Sequence, residues 1–444
     1  MRAFFEFLNK RGLSQRRLET ELQKWNSVQV LDFVADCAQL LPHTVGKVSS
    51  LFYFVANSQL SGGPHPCASL KCRIAHADTL ARFAALYADR VLICDPFEPY
   101  VGLDHADEFV KSDLANGLYI LYYLRPLLET GLVGFSVPEL HFCATCYERY
   151  IRDKHKVFSE RLSKAKAFLE GKYLRETQSF LKSWHGMPIV ETMGPGDLVD
   201  HSSVARLFNK LPHFLERHLD PKKPHRLSRG ELLESGILES RIYPIVNDIA
   251  LQNWYSNLYG AHYVTDREMD FDLIAAINHS ETNIYSKAFM EALSHSVPFI
   301  HNTELSKLIK LREKEGESFR VYRDALALTM KSVTSSDVKE IRQAFDDLVR
   351  PELNKVDLAI KNSRKLIWGS LKRDLLCGTG FIMIGLFSGL LPRNIGAVVA
   401  ALGGFKFTSA LVDKASKLLQ EPTEIRDNKY YFLWKVKKES YRKL

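Results

Sequence analysis

Two short apolar runs bracket one long helix in the first third of the chain, and this arrangement restricts the fold more than any other feature. RVLICDPF, Arg90 to Phe97, reads as a buried strand stopped by Asp and Pro. DEFVKSDLANGLYILYYLRPLLETG, Asp107 to Gly131, reads as a long helix ending at glycine. LVGFSVPEL, Leu132 to Leu140, is a second strand. Two strands joined through a helix run parallel, and a parallel sheet needs helices on its faces. The expected fold class is mixed α/β plus all-α: a short parallel β sheet with helices, followed by a C-terminal long-helix domain with an apolar helical hairpin.

Around that unit the chain divides into three. Residues 1–79 read as a helical N-terminal region, with Ser14 as a possible cap and Leu18, Leu22 and Trp25 at helical spacing. Residues 80–301 form the α/β domain, opened by the helix LARFAALYA and interrupted by a charged helical insertion over about 147–183. MPIVETMGPGD reads as a strand and turn, and DPKKPHRLSRGE as an exposed, basic linker. YPIVNDIALQNWYSNLYGAHYVTD reads as a helix leading into a strand. Residues 302–444 are expected to be helical, with Thr303 and Ser335 or Ser336 as caps.

The net charge of +8 permits contact with phosphate or an anionic membrane surface without requiring either. MRAFFEFLNKRGLSQ lacks the long apolar core and small-residue cleavage site of a secretory signal, so a cytoplasmic location is expected. In the C-terminal region, Leu375 to Phe405 is apolar apart from a Pro392-Arg393-Asn394 turn. It is expected to fold as a helical hairpin, with Gly385 and Gly389 on a small-residue face. Tyr430, Tyr431, Phe432 and Trp434 stand with Lys435, Lys437 and Lys438 in the tail, a mixture suited to an anionic lipid interface. Burial inside a soluble helical bundle is the competing fate of the same hairpin.

The 7 cysteines include two close pairs with neighbouring histidines. HPCASLKC holds Cys67 and Cys72, with His65 and His76 nearby; HFCATC holds Cys143 and Cys146, with His141 before them. A tetrahedral zinc ion takes four such donors, so a structural Zn²⁺ bound by Cys67, Cys72, Cys143 and Cys146 is expected, with His65 or His141 as substitute ligands. Such a site would clip the N-terminal region to the end of the second strand.

RVLICDP and NDIALQNWYSNLYGAHYVTDREMDF together resemble PIN-like ribonucleases over residues 90–275. In that family the first strand ends in a metal-binding Asp, which the resemblance assigns to Asp95. It likewise assigns Asp248, opening a later helix, and Asp266 or Asp270, following a strand that ends in Val-Thr. Glu139 or Glu191 would have to serve as the middle acid. These carboxylates would hold Mg²⁺ or Mn²⁺ and activate water against an RNA phosphodiester.

The leading expectation is a sensor-effector or interaction protein with a protein partner, in host defence or growth arrest. Its zinc-clipped α/β domain would recognise a ligand, and its helical C-terminal domain would associate with membrane. The metal-dependent ribonuclease is the alternative. A nucleic-acid-binding or scaffold protein with a fully buried hairpin is a third. Convergence of Asp95, Asp248 and Asp266 separates the second reading from the others.

Overall fold

The computed structural model describes residues 1–44, 52–136, 145, 156–195, 198–199, 203–208, 211–267, 269–270, 273, 298–299, 304–314, 316, 376–377 and 382–384. In chain order the strands are β1 (Tyr53–Ala56), β2 (Arg90–Ile93), β3 (Val133–Phe135), β4 (Gln178–Trp184), β5 (Met187–Met193), β6 (Ser203–Leu207), β7 (His225–Arg226), β8 (His262–Thr265), β9 (Pro298–Phe299), β10 (Leu376–Cys377) and β11 (Ile382–Ile384). The α-helices are α1 (Arg2–Lys10), α2 (Leu18–Lys24), α3 (Ser27–Leu40), α4 (Leu70–Leu86), α5 (Glu108–Thr130), α6 (Lys156–Glu176), α7 (His213–Glu216), α8 (Arg229–Glu234), α9 (Ile237–Tyr259) and α10 (Leu305–Lys314).

The main sheet has the order β11-β8-β1-β2-β3. β8, β1, β2 and β3 are parallel, with Phe54 opposite both Val91 and His262, and β11 closes the β8 side antiparallel. The expected α/β class is therefore present, as a parallel four-stranded sheet with helices. After β1 the chain steps outward through β2 and β3, then returns to the other side of β1 for β8. That reversal makes the β1/β8 boundary a topological switch point, where open α/β sheets bind ligands beyond the carboxyl ends of their strands.

Strand periodicity explains why both faces are covered. Phe54 and Ala56 of β1, with Val91 and Ile93 of β2, enter one core with residues of α1 to α5 and α10. Tyr53, Val55 and Leu92 point to the other face, against Tyr255 and Tyr259 of α9. Phe54 packs edge-on against Phe83 of α4 with ring centroids 5.0 Å apart. Burying each such side chain contributes about 1.5–3 kcal/mol.

Local chemistry sets the helix ends. α3 begins with a capping box, Asn26 accepting from Gln29 N while the Gln29 side chain accepts from Asn26 N. Asp107 caps α5, and Gly131 ends it at φ 76°, a left-handed position that glycine adopts without steric cost. These two ends fix the crossover between β2 and β3.

Four expectations on boundaries are amended. The sheet starts inside the region read as helical, because β1 lies within residues 1–79. The charged helix of the insertion ends at Glu176, and β4 follows at once. β4 and β5 form an antiparallel hairpin through His185 (φ 49°) and Gly186 (φ 82°), continued by β6 and β7 into a second sheet of order β6-β5-β4-β7. The stretch DPKKPHRLSRGE is not a bare linker: it carries β7, paired with β4, and the capped start of α8.

The fourth concerns the apolar hairpin. Leu376–Cys377 and Ile382–Ile384, its described residues, are extended rather than helical; Ile382 pairs with Thr265 and Ile384 with Tyr263. Ile-Met-Ile is a short apolar run, and periodicity alone cannot assign such a run to helix or strand. The rest of Leu375–Phe405, the turn at Pro392 and the aromatic tail lie outside the described residues. Among the described residues no helix is long and apolar enough to cross a membrane.

Candidate binding site at the carboxyl edge of the sheet

Asn57 directly follows β1, and the rest of the site is assembled around this residue. Its amide donates to Thr265 Oγ1 (2.9 Å) and Asp266 Oδ1 (3.0 Å), and its Oδ1 accepts from Leu60 N (2.8 Å). Asn57 is fully buried, so each bond has no water to replace it. Its carbonyl accepts from Ser61 N and Oγ, turning the chain into the Gly62-Gly63 loop. A side chain on Gly63 would lie 2.8 Å from Ser58 O, so the tight turn requires glycine there.

Asp266, just beyond β8, faces His76 of α4, whose Nδ1 lies 2.7 Å from Asp266 Oδ2. Gln59 Nε2 reaches His76 Nε2 at 3.1 Å. With side chains 25% and 13% exposed, His76 and Asp266 form the part of the network that opens to solvent.

Behind them is a buried charge cluster. Asp248 of α9 accepts from Ser58 N through Oδ1 (3.0 Å) and from Arg267 Nη2 through Oδ2 (2.5 Å). Arg267 Nε bonds Asp270 Oδ2 (3.0 Å), which also accepts from Tyr263 (2.9 Å) and Thr265 (2.6 Å). Burial pushes the Asp270 carboxyl above its ordinary value, opposed by the Arg267 charge. Burial also works against the Arg267 cation, but Asp270 and Asp248 outweigh it and hold its pKa well above normal.

Asp95 follows β2 by one residue and is buried. Its Oδ1 accepts from Phe97 N (2.7 Å), and its Oδ2 lies 2.8 Å from His43 Nε2. The three assigned acids thus all lie near strand ends or α9 at one edge of the sheet. Asp248 and Asp266 meet around the Asn57-Ser58 turn, while Asp95 turns to His43. Among the described residues, ligand atoms of these three acids do not all lie within 4.8 Å of one another. Glu191 lies in β5, ion-paired with Lys182 of the neighbouring strand.

In chain order RVLICDP carries the second strand of the sheet; the first is YFVA, which Asn57 follows directly. Asn57, His76, Arg267 and His43 were not anticipated in these roles. The available signal was the six-residue apolar run LFYFVA, followed by Asn-Ser and Gly-Gly, which marks a short buried strand.

No family model, curated protein or solved structure matches the chain. The site must be read from its own chemistry.

Basic side chains surround the loop that leaves β1. Burial, then the charges of Arg267, Arg241 and Arg206, push the His65 imidazole down to about 3, so it is neutral at physiological pH. Burial lowers Arg241 to about 10, still charged at neutral pH. Arg206 is exposed and lies over the Phe208 ring, 5.4 Å from its centroid. Of the expected zinc ligands, Cys67 and Cys72 carry half-buried thiols outside any disulfide, while His141, Cys143 and Cys146, like Glu139, lie outside the described residues.

Proposed function

We propose that the α/β domain is a recognition module for a phosphate-bearing ligand, RNA or nucleotide, within a sensor-effector protein. The observation that carries this reading is that Asp248, Asp266 and Asp95, the assigned acids at the carboxyl edge, each face a resident basic partner. Asp248 faces Arg267, Asp266 faces His76, Asp95 faces His43, and an amide stands at the end of the first strand. A metal-dependent hydrolase needs unpaired carboxylates converging on a hydrated cation. Here the acids are used to order a polar loop at the switch point, beside the positive field of Arg206 and Arg241. Such a surface suits a phosphate group held by arginine and a base or sugar read by Asn, Gln and His edges.

The test is fluorescence anisotropy of the purified full-length protein with labelled single-stranded RNA, competed by mononucleotides. Competition by nucleotide identifies a small ligand, and its failure identifies an extended strand. Binding that weakens at least ~10-fold in Arg206→Ala, with no Mn²⁺-dependent cleavage, supports recognition; an Arg–phosphate contact is a charge-assisted bond of the strong class. The second reading is the ribonuclease, favoured by the meeting of Asp248 and Asp266 at one turn. RNA cleavage in Mn²⁺ that Asp266→Asn abolishes would establish it instead. In both readings the C-terminal region is the effector, and flotation with anionic liposomes tests whether membrane is its target.

A further inference from the structure

A second cluster of chemistry-bearing side chains lies beside the antiparallel sheet. His218 follows α7, His225 is in β7 and Glu231 is in the first turn of α8. The Lys222 amide donates to Asp220 Oδ1 (2.7 Å), turning the chain back between the two histidines. His225 Nε2 lies 3.0 Å from Glu231 Oε1, His218 Nε2 lies 3.8 Å from the same oxygen, and one ligand atom from each residue fits within 4.8 Å.

We propose that His218, His225 and Glu231 form a binding site for a divalent transition metal of the zinc type, with a fourth position open to water. Zinc bonds imidazole nitrogen and carboxylate oxygen at about 2.0–2.2 Å, so tetrahedral ligands stand roughly 3.3 Å apart. The two separations, 3.0 and 3.8 Å, straddle that value. Two imidazoles and one carboxylate are a ligand set that zinc accepts with an open coordination position.

The carboxylate is oriented for this use. Glu231 Oε2 is held by Ser228 N and Ser228 Oγ, both at 2.7 Å, so Oε1 is presented to the histidines. The two imidazole rings are nearly parallel, 8° apart with centroids 4.1 Å apart, and both Nε2 atoms lie near the same Glu231 oxygen. A tilt of the two rings brings both lone pairs onto one ion. Arg217 Nε–H donates to His218 Nε2 at 3.1 Å, which marks that nitrogen as an acceptor with its lone pair outward. Arg217 thus occupies a direction that a metal would take, and it is an exposed side chain free to swing aside.

The experiment uses metal-stripped full-length protein titrated with Zn²⁺ alone and with Co²⁺ alone. One equivalent of Co²⁺ should bind with a visible spectrum lacking the near-ultraviolet thiolate band that a cysteine site would give. His225→Ala and Glu231→Gln should each weaken Zn²⁺ binding at least ~100-fold, at or beyond the upper end of the ~10–100-fold typical of outer-shell changes. Glutamine preserves the capping box, so the Glu231 variant should fold, as circular dichroism would show. Arg217→Ala should tighten binding severalfold, because it removes both a competing donor and a positive charge. The proposal is overturned if these variants take up Zn²⁺ like the parent, or if all bound Co²⁺ carries the thiolate signature.

Discussion

Replacing Arg267 with Met tests whether the buried charge cluster holds the carboxyl edge together. The Arg267, Asp248 and Asp270 side chains are 8%, 4% and 0% exposed, so neither acid can recover its hydration when the guanidinium is lost. Methionine is close in volume and leaves the backbone bond from Arg267 N to Thr265 Oγ1 intact. The cost is then that of two stranded carboxylates, about 3–5 kcal/mol for breaking a buried pair. With a urea slope of ~3 kcal/mol/M, the unfolding midpoint at pH 7 should fall by about 1–1.7 M. The loss should shrink on acidification. Without Arg267 the folded-state pKa of Asp270, already raised, rises further above its unfolded value. A carboxyl shifted in that direction destabilises above its unfolded pKa, and the penalty disappears as pH falls below it. Urea titrations of wild type and variant at pH 7 and pH 4.5, followed by tryptophan fluorescence, measure both effects. A midpoint change below ~0.3 M, equal at the two pH values, would show that Arg267 does not compensate these acids.

Three further outcomes follow from other residues. Asn57→Ala removes bonds to three partners, of which Thr265 and Leu60 are buried, and should cost about 2–4 kcal/mol by thermal or urea unfolding, whereas Asn57→Asp should be rescued in part by Mn²⁺, because it adds an acid beside Asp266. Gly186→Val places a β-branched residue at φ 82° and should destabilise the β4–β5 hairpin by about 1–2 kcal/mol, read as faster amide exchange of both strands. Ser228→Ala should cost about 1 kcal/mol through loss of the α8 cap. It should also raise the Glu231 pKa, now held at about 2 mainly by the Ser228 bonds, as carboxyl chemical shifts would report. Because that pKa is depressed, the wild-type cap contributes fully above the unfolded value of 4.5 and fades as pH falls toward 2.

The parallel β2–α5–β3 unit was legible because each of its signals is local: an apolar run, a long helix and a glycine stop. β1 was not, because a short apolar run at the end of a region that reads as helical carries no period of its own, and only pairing with β2 and β8 identifies it as a strand. The same limit applies to Ile382–Ile384, whose extended form depends on β8. Asp248 and Asp266 could be located from sequence, since their segment has a recognisable helix-to-strand layout. Their partners could not. Arg267 looks like a surface residue after a strand, and its burial between two acids is a tertiary fact. His218, His225 and Glu231 lie in a stretch whose lysines and prolines resemble a linker, and their proximity depends on β7 pairing with β4.

The antiparallel strand β11 has a consequence for the order in which the molecule can be completed. β8 leaves the ribosome roughly 120 residues before the segment that pairs with its outer edge. At ~5–20 residues per second, that edge stays unpaired for about 6–24 s during synthesis, long compared with the microseconds in which a hairpin forms. The strand beside the switch point is therefore finished late, by the C-terminal region. A chain truncated before Leu376 would keep the carboxyl-edge residues yet present an open β8 edge, and that edge is a template for pairing with another molecule.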